Sequence, residues 1–497
     1  MEESRSTKRN VITSLALQIV TILNGFIVPR IILSYFGSDV NGLVSSISQF
    51  LNYITLLEGG VSGVIMASLY KPLAEKNDEK VSGIIKATNQ FFRKIGIIFV
   101  AYSIGVGIVY PLVISTGYSW GYVFSLTLIL ASSLFVQYFF SLTFRLVLNA
   151  DRRGYIVSLT QILFVSLNLI FVLIAVHLFP SIHAIKIAGV LAFLVQPLVY
   201  NLYVNKHYKI NKSAPSDNDA LAQRWNGFGQ NLAFFIHSNT DVVVLTALAS
   251  LTDVSIYSVY FMVIHSLRNL IMSISTAIVP SMGNVLSCND EESKQKMFDL
   301  FEFAISLITV FTFTCGGLLI VPFVMVYTQG ITDANYYQPL FGVLLLVAEA
   351  IYCYRDPFVS VAYASGHFKE TSKYAYIEAG MNIAISVAMV KQLGLVGVAI
   401  GTLLSMTYRM VMHVIYLKKN ILQRPVKKYL SNLIIFLIPI FISVCICHFI
   451  NIAVNNYAQW ILKAIITAMI VSLTMLITLL FARRELLKAV VRKIIKK

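Results

Sequence analysis

Fourteen mostly apolar stretches, each close to or beyond the length of one bilayer crossing, fill this chain and leave only short connections between them. They lie at 11–33, 41–69, 95–115, 121–148, 155–178, 185–204, 225–249, 254–286, 298–327, 338–363, 374–392, 396–417, 430–450 and 458–481. One crossing takes about 20 such residues. Lipid offers the backbone no hydrogen-bond partners, so each segment must satisfy its own amides, and the expectation is an all-α integral membrane protein of about 14 helices. The segments at 41–69 and 254–286 are long enough to require a tilt or a kink. Composition agrees with lipid as the main solvent: only 12% of the 497 residues are charged and the mean hydropathy is +0.75, where a soluble chain carries about 25% charged residues. No cleavable signal is expected, because the first stretch contains Asn24, Pro29 and Arg30 and no small-residue cleavage site follows it. The five cysteines show no metal spacing, and Cys445 and Cys447 read as small apolar fillers.

The basic residues orient the spans. With the N-terminus placed inside, the alternate connections on that side hold 31 of the 39 Lys and Arg, from Arg5, Lys8 and Arg9 to Arg492, Lys493, Lys496 and Lys497. The opposite connections hold little beyond Lys186 and Lys391 at their edges. A partition this uneven predicts an even number of spans with both termini cytoplasmic. It also argues against nucleic acid as a partner, since no aromatic-interleaved basic cluster sits on one element. The tail is more particular. Leu486, Leu487, Val490, Val491, Ile494 and Ile495 recur at helical spacing between basic residues, a pattern suited to a helix lying on anionic membrane lipid.

The chain also repeats. A shift of 214 residues places Asp39-Val40 on Asp253-Val254, and Ala150 of Asn149-Ala150-Asp151-Arg152-Arg153-Gly154 on Ala364 of Ala364-Ser365-Gly366-His367. The expected organisation is a six-helix lobe at 1–204, a cytoplasmic linker at 205–224, a second six-helix lobe at 225–417, two added helices at 418–481 and a basic amphipathic cytoplasmic tail at 482–497. Ser213 to Asp219 supply the polar, Pro-containing centre of that linker. Repeats of this kind place the substrate site near the bilayer midplane, where the lobes meet.

Pro29-Arg30-Ile-Ile-Leu-Ser-Tyr-Phe-Gly37, Gly42-Leu43 and Leu56-Leu57-Glu58-Gly59-Gly60-Val61 resemble the opening of the Wzx-type polysaccharide repeat-unit flippases. These belong to the multidrug/oligosaccharidyl-lipid/polysaccharide exporter superfamily. The resemblance implies translocation of undecaprenyl-pyrophosphate-linked oligosaccharide across a bacterial plasma membrane, for capsule or O-antigen export. A polysaccharide polymerase and glycosyltransferases would then be its working partners. It also implies a net cationic cavity, and here the chain departs from the pattern.

Ten charged residues inside the expected spans are singled out: Arg30, Glu58, Arg145, Asp241, Arg268, Glu349, Arg355, Asp356, Glu378 and Arg409. Each would cost about 3 kcal/mol facing lipid at the helix centre, so most must face a hydrated cavity or one another. Five arginines meet five carboxylates, which leaves room for ion coupling beside anion binding. The candidate substrate-binding residues are Arg30, Arg268, Arg355 and Arg409, whose forks match phosphate oxygens. The candidate ion-coupling or cavity carboxylates are Glu58, Asp241, Glu349 and Asp356, with H+ or Na+ as the coupling ion. Arg30 and Arg145 lie near span ends and could instead snorkel. Glu349 and Asp356, seven apart, share a helix face, and Pro357 should kink that helix. His237 with Asp241, Glu378 with Asn382, and Arg409 with His413 each pair at four residues. Ion pairs of Arg355 with Asp356, or of Arg409 with Glu378, would be the structural alternative.

No enzyme chemistry is legible. There is no phosphate-binding Gly-x-x-x-x-Gly-Lys loop, no metal motif and no cofactor signature. The longest outer loop, Gln329 to Gln338, carries a single Asp333, which argues against a membrane polysaccharide polymerase. An ion-coupled exporter of small amphiphiles on the same fold remains the rival reading.

Overall fold

The computed structural model describes residues 2–58, 61–211, 213–221, 228–286, 290–450 and 452–495. Gly59, Gly60, Lys212, Arg224, Cys288, Lys496 and Lys497 lie outside them, as do the side chains of Arg5, Lys8, His237 and residues 490–495. The first helix, α1, runs Glu2–Asn52 and is broken at Gly37, whose φ of 80° and ψ of 180° are not helical. A 3-10 turn, Tyr53–Glu58, leads into α2 (Val61–Ala74). Of the tilt or kink expected for the long second span, the described residues show a break, the helix giving way to a 3-10 turn before Gly59. Then come α3 (Asp78–Val113), α4 (Trp120–Val136), a π-helical turn Gln137–Ser141, α5 (Leu142–Ala150), α6 (Gly154–Leu178), α7 (Ile182–Phe193) and α8 (Val195–His207).

The second half holds α9 (Phe228–Leu248), α10 (Leu251–Leu286), α11 (Glu291–Tyr327), α12 (Pro339–Ala364), α13 (Phe368–Leu393) and α14 (Leu395–Asn420). Two more long helices, α15 (Val426–Phe449) and α16 (Tyr457–Ala482), precede the tail helix α17 (Arg484–Ile495). No strand occurs among the described residues. Among the described residues, each of the fourteen apolar segments falls mostly on helix. Ten described stretches are long and apolar enough to cross a membrane, and the first, Arg9–Glu58, covers both the opening span and much of the second. Helices α9, α12 and α13 account for the rest. They are less apolar, since α12 carries Glu349, Arg355 and Asp356 and α13 carries Glu378, Asn382 and Lys391, and α9 is described only in part. The outward faces are apolar, with Leu112 71% and Phe481 89% exposed, as lipid contact requires.

Local chemistry sets the helix ends. Asn77 accepts from Lys80 N at 2.9 Å to start α3, and Asn456 from Gln459 N at 2.9 Å to start α16. Asp290 accepts from Glu292 N at 3.1 Å at the start of α11, and the Ser293 hydroxyl on the same carboxylate holds Asp290 below the usual range. The 214-residue shift reappears in the backbone. After α5, Asp151, Arg152 and Arg153 donate to Val147, Asn149 and Leu148; after α12, Ser365, Gly366 and His367 donate to Val361, Tyr363 and Ala362. The middle residue of each trio is left-handed, Arg152 at φ 57° and Gly366 at φ 81°. Equivalent positions thus make the same C-terminal turn.

Packing divides the chain into 1–235 and 236–497. The division falls eleven residues past the expected 224/225 boundary, because Phe235 packs edge-on against Tyr53 at 4.9 Å within the first unit. In that unit α1 lies along α6, α3 against α4, and α6 against α7. In the second, α12, α13 and α14 form the centre with α10 and α11, and α15 and α16 pack on α11. Within the expected linker, Ala214 and Leu221 are buried at 2% and 4% exposure. The tail also touches the protein. Leu486 and Leu487 pack against a core of Phe303, Val310, Phe436, Val471, Met475 and Leu479, so its apolar face is partly spent on the protein.

Candidate functional site

In the second unit, α10 and α12 meet in register. Arg268 and Ser275 are seven apart on α10, as Glu349 and Asp356 are on α12, so each pair occupies one face. Arg268 Nη1 donates to both carboxylate oxygens of Glu349, at 3.1 and 2.9 Å. Its Nη2 donates to His265 Nδ1 at 2.7 Å. One helical repeat along, the Ser275 hydroxyl donates to Asp356. Arg268 is 6% and Glu349 3% exposed. Arg268, a candidate substrate-binding residue, is met here by a carboxylate 81 residues away in sequence, which neutralises it.

Arg355 points the other way, donating to Glu378 Oε1 on α13, while Arg409 on α14 donates to Glu378 Oε2 at 2.5 Å. Glu378 is fully buried and each of its oxygens serves one arginine. The interhelical Arg409–Glu378 pair is present, and Arg355 joins it instead of pairing with Asp356. Tyr352 completes the cluster, its ring 4.8 Å from the Arg268 guanidinium and 4.7 Å from that of Arg355. His413 accepts no arginine side chain; its Nδ1 meets the Arg409 carbonyl at 2.9 Å.

Asp241 has a different shell. Thr402 donates to Oδ2 at 2.9 Å, Tyr257 to Oδ2 at 3.0 Å and Asn382 to Oδ1 at 3.4 Å. Asn382 also donates to Thr402 Oγ1 at 3.0 Å, and Val398 O, 3.1 Å from Thr402 Oγ1, competes with Asp241 for that hydroxyl's one hydrogen. Asp241 is 4% exposed, and no Lys or Arg pairs with it among the described residues. A buried carboxylate stabilised only by neutral groups is where a proton or a hard cation gains most. The buried Asn382 Oδ1 has no hydrogen-bond partner and adds acceptor capacity to the same shell. Among the described residues no cluster of three His, Cys, Asp or Glu side chains could hold a transition metal.

In the first unit the Tyr138 hydroxyl donates to Glu58 Oε1, and Arg145 acts on the same carboxylate electrostatically. Tyr138 lies in the π-helical turn, a distortion that frequently marks functional positions. Arg30 is half-buried on α1, one residue after Pro29. Sequence reading overlooked Tyr352, Thr402 and Tyr257, since nothing in spacing separates one polar residue of an apolar helix from another. It also overlooked Glu302, which is fully buried on α11 and receives Arg424 and Asn432, the latter at 3.0 Å.

The profile of the lipid II flippase MurJ family matches residues 34–468. The chain belongs to the lipid II flippase MurJ family. Members of this family are transporters of lipid-linked precursors and catalyse no covalent reaction. The Wzx-type likeness of the opening motif is thereby coarsened to a relationship within the same superfamily. Among solved structures, "Lipid II flippase MurJ, inward closed conformation" is similar at a TM-score of 0.73 and 16% identity, over 96% of this chain and 99% of that one. An inward-facing multidrug resistance MATE transporter of the MOP superfamily is similar at 0.66 and 12% identity, over 82% of this chain and 98% of the other. A eukaryotic MATE transporter, AtDTX14, follows at 0.58 and 12% identity, over 84% and 96%. No curated protein sequence matches the chain. At these identities the structural likenesses bear on fold alone, and the family rests on the profile.

Proposed function

We propose that this protein translocates a polyprenyl-pyrophosphate-linked sugar across a bacterial cell membrane, with both termini cytoplasmic, and that the substrate is lipid II. The match to the lipid II flippase family over residues 34–468 carries this reading. An ion gradient acts through Asp241, which gains or loses H+ or Na+ inside its shell of Thr402, Tyr257 and Asn382. Arg30 and Arg268 grip the substrate phosphates, Arg268 only in a state that frees it from Glu349. Arg355 and Arg409 are held by Glu378 and keep α12, α13 and α14 together. A second reading, transport of oligosaccharide repeat units, is supported by the opening motif at 29–43 and 56–61.

A competition measurement separates the two. Purified protein is loaded with labelled lipid II and challenged with unlabelled lipid II or with an undecaprenyl-pyrophosphate oligosaccharide that lacks the peptide. The lipid II assignment predicts displacement by lipid II at concentrations at least about tenfold lower, a difference of about 1.4 kcal/mol. Tighter binding of the peptide-free oligosaccharide would transfer the assignment to repeat units.

A further inference from the structure

The described residues 211 and 213–221 of the expected cytoplasmic linker form a strap fastened along α3. Asn211 N donates to Ser82 Oγ at 2.9 Å, Lys86 Nζ to Ala214 O at 2.9 Å, and Asp217 N to Gly83 O at 3.1 Å. The Ser216 hydroxyl reaches Gln90 Oε1 at 3.2 Å. Gly83 is required by this contact: a Cβ there would stand 2.8 Å from the Pro215 carbonyl oxygen. Beneath the strap lies a cavity of about 460 Å³ bounded by one face of α3, by Leu57 and, as its roof, by Asn218 and Leu221. That volume is within the range of small-molecule sites.

The lining is graded along α3. Gln90 and Lys94 lie on one face at the end nearer the strap, and Ile95 and Ile98 continue it into the apolar stretch. Phe91 and Leu57 add apolar wall. Lys94 is exposed, and no carboxylate pairs with it among the described residues. A lone ammonium flanked by two carboxamides suits a phosphate, and the adjoining wall suits a hydrocarbon chain rather than water. We propose that this cavity binds an anionic amphiphile, its phosphate at Lys94, Gln90 and Asn218 and its chain along Phe91, Ile95 and Ile98. The site lies wholly within the first unit and stands whatever substrate the protein moves. Its occupant comes either from the bulk phospholipid or from an isoprenyl phosphate.

The test titrates the full chain, in dodecyl maltoside, with dodecyl phosphate and follows the shift in Tm. Saturable stabilisation is expected, with at least about tenfold weaker apparent affinity in Lys94→Gln, a change of roughly one charged phosphate contact. Inorganic phosphate and octyl glucoside, each alone, should give no saturable shift. Gly83→Val, which pushes the roof away, should weaken binding while Lys94 is intact. Competition names the source: displacement by phosphatidylglycerol identifies bulk lipid, and displacement by farnesyl phosphate identifies an isoprenyl carrier. Equal affinity of Lys94→Gln and wild type, equal stabilisation by octyl glucoside, or displacement by neither phosphate lipid would overturn the proposal.

Discussion

Glu378 takes two arginines, whereas Asp241 is met only by hydroxyls and an amide. The two carboxylates therefore respond oppositely to neutralisation. Glu378→Gln leaves two buried guanidiniums undercompensated and should cost about 3–5 kcal/mol, read as a lower Tm or a loss of extractable folded protein. Asp241→Asn keeps the shape and most hydrogen bonds while removing an unpaired buried charge, so its Tm should match or exceed that of wild type. A destabilised Asp241→Asn beside an unaffected Glu378→Gln would reverse these roles. Arg268 gives a sharper case. Arg268→Ala should lower folded abundance by stranding Glu349, and Arg268→Ala with Glu349→Ala should recover most of it, a coupling of more than about 1 kcal/mol in the double-mutant cycle. Every one of these charges was visible in the sequence, because a charged residue in an apolar run stands out. Their partners were not. Helical spacing places Glu349 and Asp356 on one face but does not name Arg268 and Ser275 on α10 as what that face meets.

Elements were legible where apolar length decided them and illegible where they break. The helix ends of α6, α14 and α16 lie within a few residues of the expected spans, whereas the second span proved to be a helix, a 3-10 turn and another helix. Its excess length called for a tilt or a kink, but apolar length alone did not choose between them or place the break before Gly59. The turn after α12 makes a backbone prediction. Gly366 is left-handed at φ 81° with open space where a Cβ would go, so Gly366→Ala should cost about 1 kcal/mol through backbone strain alone. Gly366→Asn should cost less, since asparagine tolerates that region. Equal Tm for Gly366→Ala and wild type would contradict the turn geometry. The tail offers a second check. Because Leu487 packs on the core around Phe303 and Met475, Leu487→Asp should free α17 and raise trypsin cleavage after Arg483 or Arg484. An unchanged cleavage rate would show that this docking contributes little.

At the scale of the whole molecule, the repeat was readable from a few identities, and the matching turns after α5 and α12 give it a backbone basis. The lipid-linked class of substrate was also readable, through the opening motif. The finer family was not, because residues 29–61 cover a small part of a profile that extends over 34–468. The charge balance suggests how the molecule works. In the second unit the three arginines Arg268, Arg355 and Arg409 are equalled in number by Glu349, Asp356 and Glu378, so the negative charge of Asp241 is left for a mobile cation or proton to answer. The most direct measurement reconstitutes wild-type protein and Asp241→Asn in vesicles with fluorescent lipid II on one leaflet, and follows its appearance on the other with and without an imposed H+ or Na+ gradient. The account predicts gradient-dependent translocation by wild type and gradient-independent residual translocation, with lipid II still bound, in Asp241→Asn. No translocation of lipid II by correctly folded wild type under either gradient, or full gradient dependence retained in Asp241→Asn, would contradict it.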